Sequence, residues 1–376
     1  MRITFPLGRT VAACLIGLLG VAACDRKEES GSSGAQKPGT QSNRIVLGSI
    51  LPLTGDVASY GIAAKRGIDL SLDEVNARGG VKGKRIEVIY EDDQGKSAPA
   101  ISAMQKLVSV NKVPLVFGSA ASSVSVALCP LANREKVVLI SPISSSKDLT
   151  TVGGRFFFRT CPSDVVQAAM MAEWFKEDNR KTAGIIYVNN SWGQGLKDEF
   201  VSKFEQQGGK VAAVEACKEG ERELRTQLSK IVASNPDAMY AITYGKEGGA
   251  LLRQARELAI KLPIYGADVW GSPELIETAQ DAASGARIIV PEKFKGAKYD
   301  AFADAFQKRY GEAPDVYASY AYDTAYAVFA SLEKADRGDT LRDAIAALSY
   351  EGVTGQTRFD KNGDVVGKGF QRKVLP

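Results

Sequence analysis

The sequence predicts an α/β protein of two lobes, each built on a doubly wound parallel sheet. Three observations carry this. Short apolar runs alternate with stretches of helical periodicity from Arg44 onward, the pattern of strands in register with helices on both faces. The length, 376 residues, exceeds what one sheet of this kind accommodates, and at roughly 150 residues per domain it suggests two. The composition, 44% hydrophobic and 24% charged, is that of a soluble globular chain and argues against bulk disorder or a coiled coil.

The elements follow in order. Arg44–Ile50 reads as a strand, and a turn-rich loop runs through Gly55. A helix continues to about Arg78, with Ala64, Ile68, Leu72 and Val75 on one face and Gly79-Gly80 as its stop. Strand Arg85–Tyr90, helix Ala98–Val110, strand Leu115–Gly118, helix Val124–Arg134 and strand Val137–Ser141 continue the alternation. Phe156–Arg159 reads as a strand leaving the first sheet. The pattern resumes with strand Ala183–Val188, helix Gly195–Gln207, strand Val211–Ala216 and helix Arg222–Ala233. Strand Ala238–Thr243 and helix Gly248–Ile260 follow. Helices around Ala301–Arg309 and Ala318–Lys334 have no strand between them, and the pattern alone assigns them to neither lobe.

Composition narrows the chemistry. The chain contains no histidine, which removes His-dependent triads, His general bases and imidazole metal sites. A net charge of +4 without a basic block gives no electrostatic footprint for nucleic acid. Gly95-Lys96-Ser97 imitates the end of a P-loop, but Tyr90 stands where its first glycine belongs, and dinucleotide and nucleophile-elbow motifs are absent. The pairs Asp92-Asp93 and Glu28-Glu29 read as solvated loop charges. The sequence therefore predicts neither an enzyme nor a cofactor.

The N-terminus reads as a signal peptide over 1–23. Arg2 and Arg9 precede an apolar run from Val11 to Ala23, which is shorter than the about 20 residues that span a bilayer. Val21-Ala22-Ala23-Cys24 resembles a bacterial lipobox, which implies lipidation of Cys24 and, with Asp25 after it, retention at the inner membrane. Residues 24–43 are polar and lack large apolar side chains, so they form a flexible tether, with a root-mean-square span of about 25 Å.

Ligands of doubly wound sheets bind outside the carboxyl ends of the strands. The loops at those ends hold Tyr60, Ser122-Ser123 and Ser144-Ser145-Ser146 in the first lobe. In the second they hold Ser191-Trp192, Tyr244, and Asp268 with Trp270. Ser122 and Ser123 also suit a helix N-cap, Asp268 a turn, and Trp192 a loop anchor. Hydroxyls and a helix N-terminus facing a carboxylate suit a zwitterion.

Ile45–Gly61, Gly79-Gly80-Val81-Lys82-Gly83, Phe117–Ser125, Leu139–Thr150 and Phe158–Asp164 resemble the leucine/isoleucine/valine-binding proteins of ABC transporters. Trp192-Gly193-Gln194-Gly195, Arg253-Gln254-Ala255-Arg256 and Tyr265–Asp268 continue the likeness, which covers the chain from Arg44 onward in order. It implies a type I periplasmic binding protein, its lobes joined by three crossover strands: 44–159 with 291–352, and 160–290 with 353–376. It implies an amino-acid ligand, an ABC permease as partner, a periplasmic location and a monomer. Relatives for amides, urea and aromatic acids make these the alternative ligands, and a sensor without transport is the alternative function.

The resemblance also implies residue roles. Ser122 and Ser145 fall where the ligand carboxylate is bound, with Ser144 beside them, and Asp268 falls where an acidic residue holds the α-ammonium. Trp192 and Tyr244 match cleft aromatics of the second lobe. Tyr60, Ala120, Ala121, Ile143 and Tyr317 match positions near the ligand side chain. Among Cys129, Cys161 and Cys217 one bridge is possible in an oxidising compartment; Cys161–Cys217 is the pair favoured by their places at strand ends, and three unpaired buried thiols are the alternative. Replacing Cys24 with Ser is expected to abolish lipid modification and release the protein from the membrane fraction; unchanged mass and attachment would refute the lipobox.

Overall fold

The structure is a computed structural model that describes residues 43–376. Cys24, the expected signal peptide and all of the expected tether except Asn43 lie outside the described residues. Among the described residues no helix is long and apolar enough to cross a membrane.

The first sheet contains β1 (Arg44–Leu51), β2 (Arg85–Asp92), β3 (Leu115–Gly118), β4 (Val138–Ser141) and β5 (Phe157–Arg159) in the order β2-β1-β3-β4-β5. All its pairs are parallel. Helices α1 (Ala58–Ala77), α2 (Ser97–Ser109), α3 (Ser122–Glu135) and the short α4 (Asp148–Val152) connect them. β3 and β4 are buried on both faces, which explains why they read as unbroken apolar runs.

The second lobe repeats this winding. Its chain runs α5 (Asp164–Glu177), β6 (Thr182–Val188), α6 (Ser191–Gln206), β7 (Lys210–Cys217), α7 (Arg225–Ala233), β8 (Ala238–Ile242) and α8 (Gly245–Glu257). It continues with β9 (Ile264–Gly266), a 3-10 turn at Asp268–Gly271, α9 (Pro273–Ala279) and β10 (Arg287–Pro291). The strand order is β13-β10-β9-β8-β6-β7, with β13 (Phe370–Val374) antiparallel to β10. That strand adds one antiparallel edge to an otherwise parallel sheet. Each winding reverses direction beside its first strand, between β1 and β3 and between β6 and β8, and such a switch point opens a crevice at the strand ends.

The remaining helices find their lobe by packing. Ala321, Ala325, Val328, Phe329 and Leu332 of α11 (Val316–Leu332), with Leu341 and Ile345 of α12 (Gly338–Ala346), share a core with Leu47 and Ile68 of the first lobe. Gly67 permits this approach: a Cβ there would stand 2.1 Å from the Ala318 carbonyl oxygen. Helix α10 (Ala297–Tyr310) packs Phe302 against Tyr322 of α11, ring centroids 4.5 Å apart. A small hairpin, β11 (Tyr350–Gly352) and β12 (Gly355–Thr357), precedes the last strand. The chain thus passes between the sheets three times, after β5, after β10 and after β12.

Helix α5 does not stand out in the periodicity, because Val165 and Val166 are exposed and blur its polar face. Phe156–Arg159 is the edge strand of the first sheet before it leaves it. Asp93 is fully buried, where a solvated charge was expected. It accepts from the Ser119 hydroxyl at 2.5 Å and from the Gly95 amide at 2.7 Å, and burial raises its pKa to about 6.

Arg159 ends β5 with no exposed surface. Its Nε pairs with Asp364 at 2.6 Å, and its terminal nitrogens donate to the Ser145 and Ser146 carbonyls, each at 2.8 Å, and to the Thr150 hydroxyl at 2.6 Å. A buried charge is tolerated only when it is paired and hydrogen-bonded in this way. Asp364→Asn is expected to cost about 3–5 kcal/mol of stability by stranding the guanidinium, read as a lowered urea midpoint; an unchanged midpoint would show that the carbonyls alone satisfy it.

Candidate functional site

The first-lobe wall is two loops laced by hydroxyls. Ser141, closing β4, donates to the Ser119 carbonyl at 2.7 Å and accepts from the amides of Ile143 at 3.2 Å and Ser144 at 2.9 Å. The Ser144 hydroxyl also donates to the Ser119 carbonyl, at 2.7 Å, and meets the Ser125 hydroxyl at 2.8 Å. The Ser146 amide donates to the Ser122 hydroxyl at 3.2 Å. This lacing sets Ala120, Ala121, Ser122, Ile143 and Ser145 along one cavity. Ser122 is the first residue of α3; the Val124 and Ser125 amides donate to the Ala121 carbonyl, which leaves the Ser122 and Ser123 amides without a carbonyl to reach inside the helix. Ala121 holds the N-cap position without a side-chain cap, so Ser122 lies inside the helix.

The second-lobe wall is aromatic and acidic. Asn190 caps α6 by accepting from the Gly193 amide at 3.0 Å, and its Nδ2 donates to the Tyr244 hydroxyl at 3.0 Å. That cap orients Trp192, which stacks on Tyr244 at 4.9 Å between centroids and 16° between planes. Tyr60, reaching across from α1, accepts from the Gly245 amide at 3.4 Å and meets Tyr317 edge-on at 5.0 Å. The Ser146 hydroxyl donates to the Ser191 carbonyl at 3.3 Å. The two walls therefore touch.

Asp268 stands at the start of the 3-10 turn after β9. Gln167 fixes it from α5: the Gln167 Oε1 accepts from the Asp268 amide at 2.8 Å, and its Nε2 donates to the Asp268 carboxylate at 3.0 Å. The same Nε2 donates to Asp164 at 3.2 Å. Burial raises the pKa of Asp268 to about 6, against the Gln167 hydrogen bond. Burial and then the Asp268 charge raise Asp164 to about 8, opposed by the nearby Ser145 hydroxyl and the Arg159 charge. No ion pair involves either carboxylate among the described residues, nor does any cluster there suit a metal ion.

Of the residues expected at the site, Tyr60, Ala120, Ala121, Ser122, Ile143, Ser145, Trp192, Tyr244, Asp268 and Tyr317 line this single cavity. Ser144 does not; its hydroxyl is consumed inside the first-lobe wall. Val57 and Val269 also line the cavity without having been expected. Asp164 and Gln167 were missed too, although an acid and an amide three apart share one helix face and Ser163 marks the helix start by accepting from the Val165 amide. The cavity, about 420 Å³ counting its open mouth, is a narrow site for one small molecule. The expected Cys161–Cys217 bridge is corrected: both are free buried thiols, as is Cys129. Cys161 donates to the Ser144 carbonyl and Cys217 to the Tyr187 carbonyl, on different walls.

A family model described as periplasmic binding protein matches residues 44–374. The leucine-, isoleucine-, valine-, threonine- and alanine-binding protein of Pseudomonas aeruginosa is 28% identical over 318 residues, 84% of this chain and 85% of that one. The branched-chain amino acid transporter substrate-binding protein LivJ of Streptococcus pneumoniae, solved with isoleucine, is 29% identical at a TM-score of 0.79, covering 88% of this chain and all of that one. A solute-binding protein of an ABC transporter from R. palustris, solved with benzoate, shares the fold at 21% identity and a TM-score of 0.80, over 89% and 93% of the chains.

The two neighbouring serines should separate experimentally. Ser144→Ala leaves buried groups short of partners and is expected to cost about 1–3 kcal/mol of stability, whereas Ser145→Ala should leave the melting temperature nearly unchanged. Equal melting temperatures would contradict the lacing.

Proposed function

The chain belongs to the periplasmic binding protein family, and from that premise we propose that it captures an amino acid with an aliphatic side chain and delivers it to an ABC permease. The observation that carries this reading is one cavity with opposite chemistry on its two walls. Hydroxyls of Ser122 and Ser145 and the first-turn amides of α3 suit a carboxylate, and Asp268 suits an ammonium. Val57, Ala120, Ala121, Ile143 and Val269 leave apolar surface for a short side chain, and Trp192 and Tyr244 close over it. The named specificities of the Pseudomonas and Streptococcus relatives support the same class.

Residues 44–159 with 291–352 act as one lobe and 160–290 with 353–376 as the other. Only when they approach does the ligand meet partners for both its charges, so the ligand favours the closed form. Lipid on Cys24 would tether this monomeric carrier to the outer face of the inner membrane, beside its permease. A second reading, an aromatic acid, draws on the benzoate-bound relative and the Trp192–Tyr244 stack. It leaves Asp268 facing an anion with nothing to offset its charge, and is the weaker for that.

Truncating one member of a desolvated charge pair costs about 2–5 kcal/mol. Asp268→Ala is therefore expected to weaken an amino acid by about thirtyfold to several thousandfold. The des-amino analogue of the same ligand should bind poorly to the wild type and lose much less on the same substitution. Calorimetry on refolded, ligand-stripped protein reads both. Equal affinity of Asp268→Ala and wild type for the amino acid would place the ammonium elsewhere.

A further inference from the structure

Behind the cavity lies a feature that charge recognition by Asp268 alone does not require. Asp164 is fully buried, and its Oδ2 has no hydrogen-bond partner. Its other oxygen shares the Gln167 Nε2 with Asp268, at 3.2 and 3.0 Å. The Gln167 amide cannot turn to serve one carboxylate only, because its Oε1 is held by the Asp268 amide at 2.8 Å. Beyond this shared amide, Asp164 has the nearby Ser145 hydroxyl and Asp268 the backbone amides of its own turn, so both acids are held by neutral donors alone.

The surroundings supply little to offset a double negative charge. Arg159 of β5 is the one cation that acts on Asp164, and its guanidinium is already engaged with Asp364, Thr150 and two carbonyls. The other titratable groups facing the pair are Cys161 of the first crossing, Tyr240 of β8, and Tyr317 and Tyr320 of α11. None of them carries positive charge, and the buried Lys368, which lies over the Tyr320 ring, is engaged by the Thr354 hydroxyl and the Asp323 charge. Tyr240, fully buried, has a hydroxyl that is also without a partner. Two like charges placed together in a low-dielectric site do not both ionise unless a cation arrives.

We infer that the Asp164 and Asp268 carboxyls, both held by Gln167, carry one proton between them in the ligand-free protein, and that an incoming ligand α-ammonium displaces this proton to solvent. This rests on the amino-acid reading above and deepens it: Asp164 becomes a positioning and selectivity residue that makes the site answer to positive charge. The bookkeeping is simple. The free pair carries one negative charge and one proton; the bound pair carries two negative charges against the ammonium, and the proton leaves through the cleft. Neutral amides and des-amino acids bring no cation and release no proton. Raised values for both carboxylates, about 8 and about 6, put the exchange in the neutral range. The sign follows from linkage: as pH falls the proton competes better, so Kd rises, approaching about tenfold per pH unit within that window, and it is flat above it.

The test uses the mature protein, stripped of ligand by unfolding and refolding, with L-leucine as probe. Calorimetry at pH 7 in buffers of different ionisation enthalpy should show release of close to one proton, falling to near zero in Asp164→Asn. The des-amino compound 4-methylpentanoate should release none. Infrared spectra of the ligand-free protein at pH 7 should show a protonated buried carboxyl that Asp164→Asn removes. Asp268→Asn should remove it as well and serves where the first variant folds poorly. Leucine binding without proton release, or a free protein lacking that carboxyl band, would overturn the inference while leaving the amino-acid reading intact. Failure of leucine and the other common amino acids to bind would overturn the amino-acid reading, and the infrared band would still decide the shared proton.

Discussion

The buried guanidinium of Arg159 is the constraint on which the architecture of the site depends. It sits where the chain first leaves one sheet for the other, and each of its partners belongs to a different working part. Two carbonyls hold the Ser145–Ser146 loop, Thr150 lies within the short helix beyond it, and Asp364 belongs to the third passage between lobes. Because an unpaired charge in this position would be severely unfavourable, satisfying it fixes the relative placement of all three. Five residues further on, the same strand exit delivers Asp164 to the floor of the cleft. One desolvated charge thus sets both the neutral wall and the acidic floor.

The consequence is a cleft whose walls differ in kind. The first-lobe wall carries hydroxyls and amides but no formal charge, and its internal lacing through Ser119, Ser125, Ser141 and Ser144 leaves only Ser122 and Ser145 turned to the cavity. The second-lobe wall carries carboxylates held by Gln167 and an aromatic pair held by Asn190. Both walls lie at the switch points of their sheets, where diverging helices leave room. A molecule that carries both charges can bridge them, and one that carries a single charge meets only half of what the site offers.

Much of this was legible in the sequence, for reasons that can be stated. Strands buried on both faces, such as Leu115–Gly118 and Val138–Ser141, announce themselves as apolar runs, and each is followed by the loop that lines the cavity. The order of strands and loops therefore placed Tyr60, Ser122, Ser145, Trp192, Tyr244 and Asp268 at one end of two sheets before any coordinates. What escaped was whatever depends on a partner distant in sequence. Asp93 reads as a loop charge until Ser119 covers it, and Ser144 reads as a site residue until the Ser119 carbonyl takes its hydroxyl. Cys161 and Cys217 suggest a bridge only while the walls they occupy are unknown. Asp164 and Gln167 sit on a helix whose exposed valines mask its periodicity, and their importance arises from a turn about a hundred residues away.

The central claim is that one ligand grips both walls and thereby draws the lobes together. Small-angle X-ray scattering tests it most directly, on ligand-stripped protein with and without saturating leucine whose binding has been verified calorimetrically. Bound ligand is expected to give a smaller radius of gyration, from rotation of two rigid lobes. Superimposable profiles with and without bound leucine would contradict it.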